Sequence, residues 1–361
     1  MPTTPIKYFF IPAVMVSFAL ISVITLKSIA PELATEQLIF WLIGLGTFFW
    51  FSKINLRTLI KYRFFFYWGV IILLTLTFVN TGLTRGTARW IKIGTLFSVQ
   101  PSQLAIPLVG LSAAYFASKN KLNTLQNIGK FLGILSLPGL LILAEPDLGT
   151  TILYLLSLGI ILFISEINYK YLLSLFSAGL LSIIFAWMVV LKPYQKDRIT
   201  SFMNAQQQEQ QASNYNSYQA QIAVGSGGWY GKGLGHGSQS HLRFLPERQT
   251  DFIFASFAEE WGFLGSMILL LLYFALNFYL LRYIFKIKDK FKSYYLLIIV
   301  TMISLQTFVN VGMNIGLLPI TGITLPLMSY GGSSLVSICL MLGIGQNIIS
   351  GHKKKIVMEI K

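Results

Sequence analysis

Residues 130–165 read KFLGILSLPGLLILAEPDLGTTILYLLSLGIILFIS, in which the short polar break Glu145-Pro146-Asp147 separates two long apolar runs. A transmembrane helix needs about 20 predominantly apolar residues, and each run approaches that length. Similar runs recur along the 361-residue chain, which is 54% hydrophobic and only 11% charged, whereas a soluble domain has about 25% charged residues. The composition therefore excludes a soluble globular enzyme, a disordered protein and a disulfide scaffold. The apolar runs are continuous rather than alternating, which also excludes an outer-membrane β-barrel.

The apolar runs predict an all-α polytopic membrane protein, with residues 1–361 forming a single domain of about ten transmembrane helices. The first span is expected to be retained rather than cleaved as a signal, because many similar spans follow it. The predicted spans lie near residues 9–28, 38–52, 64–80, 100–117, 130–146, 148–165, 171–191, 251–284, 294–314 and 333–350.

The charged residues divide unevenly between the two ends of these spans. Eighteen of the 28 Lys and Arg residues, but only three of the 13 acids, fall on the side that carries both termini. The positive-inside rule makes this side cytoplasmic, with both termini inside. The net charge of +15 is thus explained by topology, and its dispersed cations do not indicate nucleic-acid binding. The basic run Lys353-Lys354-Lys355 is a candidate contact for anionic membrane lipid.

The polar sequence features gather on the opposite, extracytoplasmic side. Polar residues collected at one face of a membrane bundle mark functional sites, so we expect one shared external site there. It would draw on residues 81–99 with Arg89 and Lys92, residues 145–150 with Asp147, the large loop 192–250 between helices 7 and 8, and the Gly- and Pro-rich residues 315–332.

The large loop has two halves of different character. Residues 203–221 are polar and Gln-rich, which predicts a mobile or interfacial segment. Residues 225–237 contain seven glycines. They are either a flexible connector or a nest of backbone N–H groups that binds an anion. The cations Lys232, Arg243 and Arg248 lie in or just after this second half.

Asp251 follows the loop at the start of the eighth span. Thr250 is a candidate helix cap, which would place Asp251 in the first helical turn. An acid there either stabilises the helix dipole or serves in catalysis, and the spacing alone does not decide. Ala255, Ala258 and Gly262 then leave a small-residue face above which a groove is expected.

The remaining polar groups allow fewer roles. Glu259 and Glu260 lie deeper in the span, either as a structural pair or as a wall of the site, because carboxylates there are costly unless paired or wet. His236 and His241 have no carboxylate or Cys at helical metal-ligand spacing, so no metal site is predicted. No Ser-His-Asp arrangement is recognisable.

Taken together, these segments closely resemble the SEDS family of bacterial cell-wall glycosyltransferases, which includes FtsW, RodA and SpoVE. The matching set occurs in the family's order and covers roughly residues 80–345. It comprises Arg89-Trp90-Ile91 through Gln100-Pro101-Ser102; residues 145–150; Gln219 with residues 223–228; Leu245-Pro246-Glu247-Arg248 with Thr250-Asp251-Phe252; Glu259-Glu260 with Gly262; and residues 316–319 through 329–334.

The resemblance implies polymerisation of lipid II into glycan strands on the outer face of the cytoplasmic membrane. It also implies a class B penicillin-binding protein transpeptidase as partner. The essential acid of the family is the Asp of its Thr-Asp-Phe motif, which corresponds to Asp251. The runs at residues 310–313 and 325–329 look more like the elongation branch, RodA, than the division branch, FtsW. A division or sporulation role remains an alternative.

Four positions depart from the family's usual pattern. Gln103 and Ile106 stand where Glu and Lys are usual, one helical turn apart. The family's Glu and Lys are thus absent together. This indicates that they form a structural pair, because either charge buried alone would be costly in free energy. Gln249 replaces a frequent His, which argues against a proton relay there, and Ala220 replaces a common Ser.

The implied chemistry assigns roles to the external residues. Asp251 would act as the base that takes the proton of the acceptor sugar hydroxyl. No cofactor is evident, although a divalent cation could assist. Three alternatives stay open: a lipid II flippase, a non-catalytic scaffold for a penicillin-binding protein, and a polymerase of another polyprenyl-linked glycan. The candidate substrate-binding residues are Arg89, Lys92, Arg198, Lys232, Arg243 and Arg248, with the acids Asp147 and Glu247.

Overall fold

The structure, a computed structural model, describes residues 9–79, 89–93, 97–203 and 212–360. Within these ranges the chain forms fourteen α-helices and one small antiparallel hairpin, so the predicted helical class is confirmed. The helices are α1 Phe10–Ile29, α2 Pro31–Lys53, α3 Leu56–Lys61, α4 Arg63–Val79, α5 Pro101–Lys119, α6 Leu125–Ala144, α7 Leu148–Ile164, α8 Tyr169–Phe185, α9 Pro193–Met203, α10 Ala212–Ser226, α11 Ser238–His241, α12 Ile253–Ile284, α13 Lys290–Asn314 and α14 Gly332–Ile360. The hairpin strands are β1 Ile91–Ile93 and β2 Phe97–Val99, and a π-helical turn, Ala186–Val190, extends α8.

Seven helices in the described part are long and apolar enough to cross a membrane, namely α1, α2, α6, α8 with its extension, α12, α13 and α14. The shorter helices α4 and α7 are also apolar. The chain is therefore a helical multi-pass membrane protein. The prediction of ten spans also includes α4, α5 and α7, which fall outside the set of seven, so that number stays a prediction.

The largest helix–helix contact joins α2 to α14. The two helices run parallel, since Gly44 lies against Cys339 and Phe48 lies against Gly343. A Cβ atom on Gly343 would come within 2.6 Å of the Phe48 carbonyl oxygen. Small residues of this kind allow close approach of transmembrane helices. The α2–α14 pair is thus closely packed along its length.

Two prolines interrupt helices in the bundle, and each broken hydrogen bond is replaced by a hydroxyl from a neighbouring helix. Pro107 in α5 has no N–H to give to the carbonyl of Gln103, which instead accepts from Ser337 Oγ at 2.5 Å. Pro138 in α6 likewise frees the carbonyl of Ile134, which accepts from Tyr67 Oη at 3.2 Å. Unsatisfied backbone groups are very costly in a membrane, so these contacts fix how α5 and α6 pack.

Helix α12 is bent at Gly262, whose φ of 66° and ψ of −164° are not helical. The residues after the bend donate their N–H groups outside the helix, Phe263 to the Gly228 carbonyl at 2.8 Å and Leu264 to the Trp229 carbonyl at 3.1 Å. The two carbonyls freed by the bend accept from the same segment. Glu259 accepts from Lys232 N at 2.9 Å, and Glu260 from Gly233 N at 3.0 Å.

The small-residue face of α12 is therefore covered by another segment of the chain, and the prediction of an open groove above it was wrong. The backbone of residues 226–233 occupies that space. It can approach α12 closely because glycines, Gly227 and Gly231 in the segment and Gly262 in the helix, lie at the points of contact. A Cβ atom on Gly227 would lie 2.1 Å from the Ala258 carbonyl oxygen, and one on Gly262 would lie 2.2 Å from Gly231 N.

Residues 192–250 contain more regular structure than a plain loop. They include α9, α10 and α11, and α10 packs on both α12 and α13. Of residues 203–221, which were predicted to be a mobile or interfacial segment, residues 212–221 are helical and residues 204–211 lie outside the described part, so that the mobility and the interfacial position stay a prediction. Ala220, at the position of a frequent Ser, is fully buried in a small cluster with Leu245 and Phe252.

Replacing Gly262 with alanine should destabilise the protein by about 2 kcal/mol or more, because the backbone there has positive φ and no room for a Cβ. The thermal midpoint of the detergent-purified variant measures this loss. Gly46→Ala is the matched control, since nothing lies within 4 Å of its added Cβ. Equal midpoints for both variants would contradict the role given to the bend.

Candidate active site

Asp251 lies in a turn just before α12, and it is half-buried. The predicted cap at Thr250 was wrong, because the helix begins at Ile253 and Phe252 occupies the N-cap position. Thr250 instead donates its hydroxyl to Glu247 Oε2 at 3.0 Å. The chain makes one more turn there, with Glu247 at a φ of 49°, before it enters the helix. Asp251 therefore stands outside the first helical turn.

Two asparagines of α13 fix the backbone of Asp251. Asn310 Nδ2 donates to the Asp251 carbonyl oxygen at 2.9 Å, and Asn314 Nδ2 donates to the same oxygen at 3.1 Å. Asn314 Oδ1 also accepts from Ala255 N at 3.1 Å, in the first turn of α12. Both asparagines are fully buried. The carboxyl group of Asp251 is thus carried on a main chain that α13 holds in place.

No site role for these asparagines was expected from the sequence. A signal was present, because Gln306, Asn310 and Asn314 follow one another at intervals of four residues and therefore lie on one face of α13. Asn310 also donates to the Ile323 carbonyl oxygen at 2.8 Å, so it links the Asp251 turn to the Gly- and Pro-rich residues 315–332.

Residues 321–323 connect Asp251 to the start of α7. A Cβ atom on Gly322, which has a φ of 75°, would lie 3.7 Å from Asp251 Oδ2. On the other side, Gly149 approaches the Thr321 carbonyl so closely that a Cβ there would be 2.8 Å away. These contacts bring Gly149, Asp251 and residues 321–323 together, whereas one shared external site that also draws on residues 81–99 and 192–250 stays a prediction.

Arg89 ties the 89–99 segment to the same place. Its Nε donates to the Glu145 carbonyl oxygen at 2.8 Å, and its Nη2 donates to the Pro146 carbonyl. Its Nη1 lies 3.6 Å from Asp147 Oδ2, which also accepts from Gln100 Nε2 at 3.1 Å. The Asp147 side chain caps α7, and the Arg89 side chain keeps about a quarter of its surface exposed. Arg89 and Asp147 therefore order the site's edge as a pair.

The other predicted cationic binding residues differ in how exposed their side chains are. Lys92 in β1, Arg198 in α9 and Arg243 before Asp251 are exposed. Arg248 is half-buried and donates through Nε to the Ile29 carbonyl oxygen at 3.0 Å. Burial and, after it, the like charge of Arg243 lower the pKa of Arg248, whereas Glu32 opposes the shift.

The glycine-rich segment does not offer an anion nest. Besides the pairings of Lys232 N and Gly233 N with α12, Gly231 N donates to the Gly227 carbonyl oxygen at 2.8 Å. Gly235 N donates to Glu260 Oε1 at 3.1 Å and to Ser28 Oγ at 2.9 Å. These N–H groups are already used within the protein, so the hypothesis that they cradle an anion was wrong.

Glu259 and Glu260 anchor this segment from below. The fully buried Glu259 accepts from Lys232 Nζ at 2.9 Å and from Ser240 Oγ at 2.8 Å. Glu260 accepts from His241 Nε2 at 3.0 Å and from Ser28. Of the two roles left open, the structural pair is the one the contacts support, and Lys232 is engaged in an ion pair.

The two substituted positions in α5 are buried. Ile106 is fully buried and Gln103 nearly so, beside α14, which fits the loss of a structural charged pair there.

Among the residues that the structure describes, no group of three or more His, Cys, Asp or Glu side chains could hold a metal ion.

Burial raises the pKa of Glu145 to about 7, and the Asp147 carboxylate acts in the same direction, whereas Thr77 and Arg89 oppose the shift. Because the folded state then binds its proton more tightly than the unfolded state, stability should fall as pH rises from about 4.5 to about 7, by roughly 3 kcal/mol. Thermal midpoints measured between pH 4.5 and 8 test this slope. Glu145→Gln should flatten it, and an unchanged slope in that variant would contradict the assignment.

The chain matches known proteins over nearly its whole length. Residues 3–354 match the family described as cell cycle protein, comprising FtsW, RodA and SpoVE. Peptidoglycan glycosyltransferase MrdB of Helicobacter pylori is 36% identical over 348 residues, covering 95% of this chain and 88% of MrdB.

Two solved structures share the fold. A chain of a peptidoglycan synthase complex, described as coordinating polymerization and crosslinking, superposes with a TM-score of 0.80 at 25% identity, covering 94% of this chain and 96% of its own. The rod shape determining protein RodA of Thermus thermophilus superposes with a TM-score of 0.71 at 24% identity, covering 95% and 96% of the two chains. This chain therefore belongs to the FtsW, RodA and SpoVE family and has the multi-pass helical fold of RodA.

Proposed function

We propose that this chain is a RodA-like peptidoglycan glycosyltransferase that polymerises lipid II on the outer face of the bacterial cytoplasmic membrane. The observation that carries the proposal is Asp251, a half-buried carboxylate on a turn that Asn310 and Asn314 hold through its main chain. The similar protein MrdB of Helicobacter pylori is a peptidoglycan glycosyltransferase. Glycosyl transfer needs a fixed base, and this arrangement supplies one.

In the proposed reaction, the 4-hydroxyl of the acceptor GlcNAc attacks the anomeric carbon of the donor sugar. The new glycosidic bond forms as the bond from that carbon to the lipid pyrophosphate breaks, and Asp251 takes the hydroxyl proton. Pyrophosphate is a good leaving group, so no general acid is required. Attack from the opposite face inverts the anomeric centre. A positioned base contributes about 10²–10⁴-fold to such a step.

The departing pyrophosphate requires cations, and the proposal places Arg243 and Arg248 beside it. They lie eight and three residues before Asp251 in the chain, respectively. Preorganised cations at developing negative charge are a major source of catalysis. Lys92 and Arg198 are further exposed cations for the substrate. Lys232 serves the fold instead, through its ion pair with Glu259.

The proposal also includes orientation and partner. The apolar runs predict ten spans, and the positive-inside rule places both termini in the cytoplasm. This topology would put Asp251 at the outer face. A class B penicillin-binding protein would supply crosslinking, which the similar chain in a peptidoglycan synthase complex supports. The elongation role rests on the sequence resemblance to RodA.

Asp251→Asn should reduce lipid II polymerisation by about 10²–10⁴-fold while leaving the protein folded, because only the proton acceptor is lost. The measurement is the glycan ladder formed from labelled lipid II, with and without a co-expressed class B partner. Repeating the assay with EDTA tests whether polymerisation requires a divalent cation. Asp197→Asn, an exposed acid in α9, is the matched control and should polymerise normally.

Other outcomes of that assay favour other functions. Equal ladders from wild type and Asp251→Asn would remove the base assignment. If neither protein forms a ladder even with the partner, polymerisation of lipid II is contradicted. Lipid II translocation in liposomes then tests the flippase, and partner activation tests the scaffold.

Asn310→Ala should lower both stability and polymerisation, because it removes the hydrogen bonds that join Asp251 to residue 323. Loss of such buried partners costs about 1–3 kcal/mol. Asn277→Ala is the control for an amide lost from the bundle, because Asn277 in α12 donates to the Tyr273 carbonyl of its own helix. If Asn310→Ala retained full polymerisation per folded molecule, a positioning role for Asn310 would be wrong.

A further inference from the structure

The end of the bundle opposite Asp251 contains a large cavity. The start of α2 is tied to the Asp251 side, since Gln37 donates to the Ser329 carbonyl and Ser329 Oγ donates to the Thr250 carbonyl. From Gln37, the helix runs about 25 Å to its last residue, Lys53. The cavity of about 1350 Å³ lies at that far end, between the ends of α1, α2, α5, α13 and α14.

The cavity is strongly basic. Among the described residues that line it, Asp289 is the only acid, and its side chain accepts from Lys292 N at 3.3 Å as the cap of α13. Lys290 is paired with Glu166 at 3.2 Å. The other five cations make no ion pair with any described residue. The cations that line the cavity are Lys53, Arg57, Lys119, Lys288, Lys290 and Lys292.

The same cavity has an apolar side. Phe9, two thirds exposed, and Phe49, about half exposed, line it together with the buried Phe48. Asn347 in α14 holds one wall, donating to the Phe51 carbonyl at 3.0 Å and to the Ile54 carbonyl. A site with unpaired cations beside exposed aromatic side chains suits a ligand with an anionic head and a hydrocarbon tail.

We propose that this cavity binds the phosphate head group of an anionic phospholipid of the cytoplasmic leaflet. The basic end of the bundle faces that leaflet by the positive-inside rule. Basic pockets between transmembrane helices on this side bind anionic lipid head groups. The volume exceeds the roughly 300–1,000 Å³ of a small-molecule site, which leaves room for the glycerol and the first acyl carbons. The bound lipid would join the ends of α2, α5 and α13.

The test uses the full-length protein, purified in neutral detergent and titrated with phosphatidylglycerol or phosphatidylcholine, with bound lipid counted by native mass spectrometry. Wild type should retain about one phosphatidylglycerol in preference to phosphatidylcholine. The triple variant Lys53→Gln, Arg57→Gln, Lys292→Gln should bind it about a hundredfold more weakly, at about 1 kcal/mol for each cation.

The matched control removes the same charge elsewhere on the basic side, with Lys121→Gln, Lys170→Gln and Lys286→Gln. All three are exposed and outside the cavity lining, so retention should equal that of wild type. An equal loss in the control would attribute binding to diffuse charge and overturn the proposal. Equal retention of phosphatidylcholine by wild type would overturn it as well.

A free phosphate compound shares the head group's chemistry, so a second arm replaces the lipid with inorganic pyrophosphate and records the thermal midpoint. A shift with pyrophosphate, in a protein that retains no phosphatidylglycerol, would overturn the lipid assignment. Asp251→Asn should bind phosphatidylglycerol as wild type does, so this test and the polymerisation test fail independently.

Discussion

Four backbone hydrogen bonds between the bend of α12 and residues 228–233 are the interaction on which the Asp251 end of the protein depends. The bend at Gly262 breaks the helix, and both freed carbonyls and both displaced N–H groups find partners in that one segment. A membrane helix cannot leave such groups unpaired. Glycine is required on both sides, because Gly231 and Gly262 approach too closely for any Cβ. The extramembrane segment is thereby fastened to the bundle.

The same constraint explains how the rest of the bundle is assembled. Each proline inside a helix leaves a carbonyl that a hydroxyl of another helix takes, Ser337 for Pro107 and Tyr67 for Pro138. Asn310 and Asn314 perform the equivalent task where the chain turns into α12. Tertiary structure is therefore specified by a few polar contacts at helix breaks, while the apolar surface between the breaks provides general packing against helices and lipid.

The sequence predicts the helical membrane class well, because continuous apolar runs and charge asymmetry are strong, one-dimensional signals. The gathering of Arg89, Asp147 and Asp251 segments on one side also follows from counting spans. The local structure around Asp251 does not follow, because Asn310 and Asn314, about 60 residues further along the chain, hold its main chain, and the Thr250 hydroxyl donates to Glu247 instead of capping the helix. The role of the glycines is missed for the same reason, since spacing reveals conformational freedom and not which backbone lies opposite.

Burial separates the acids of the site into two groups. Glu145, Asp147, Glu259 and Glu260 are each at most 7% exposed, and their oxygens are used to order loops, cap α7 and hold the glycine-rich segment. Asp251 differs in burial, because its side chain is half-buried, and Asn310 and Asn314 bind its main chain. A base must be fixed in position while its carboxylate stays within reach of substrate. The proposed base role of Asp251 is compatible with both requirements, because Asn310 and Asn314 hold its main chain and its side chain is half-buried.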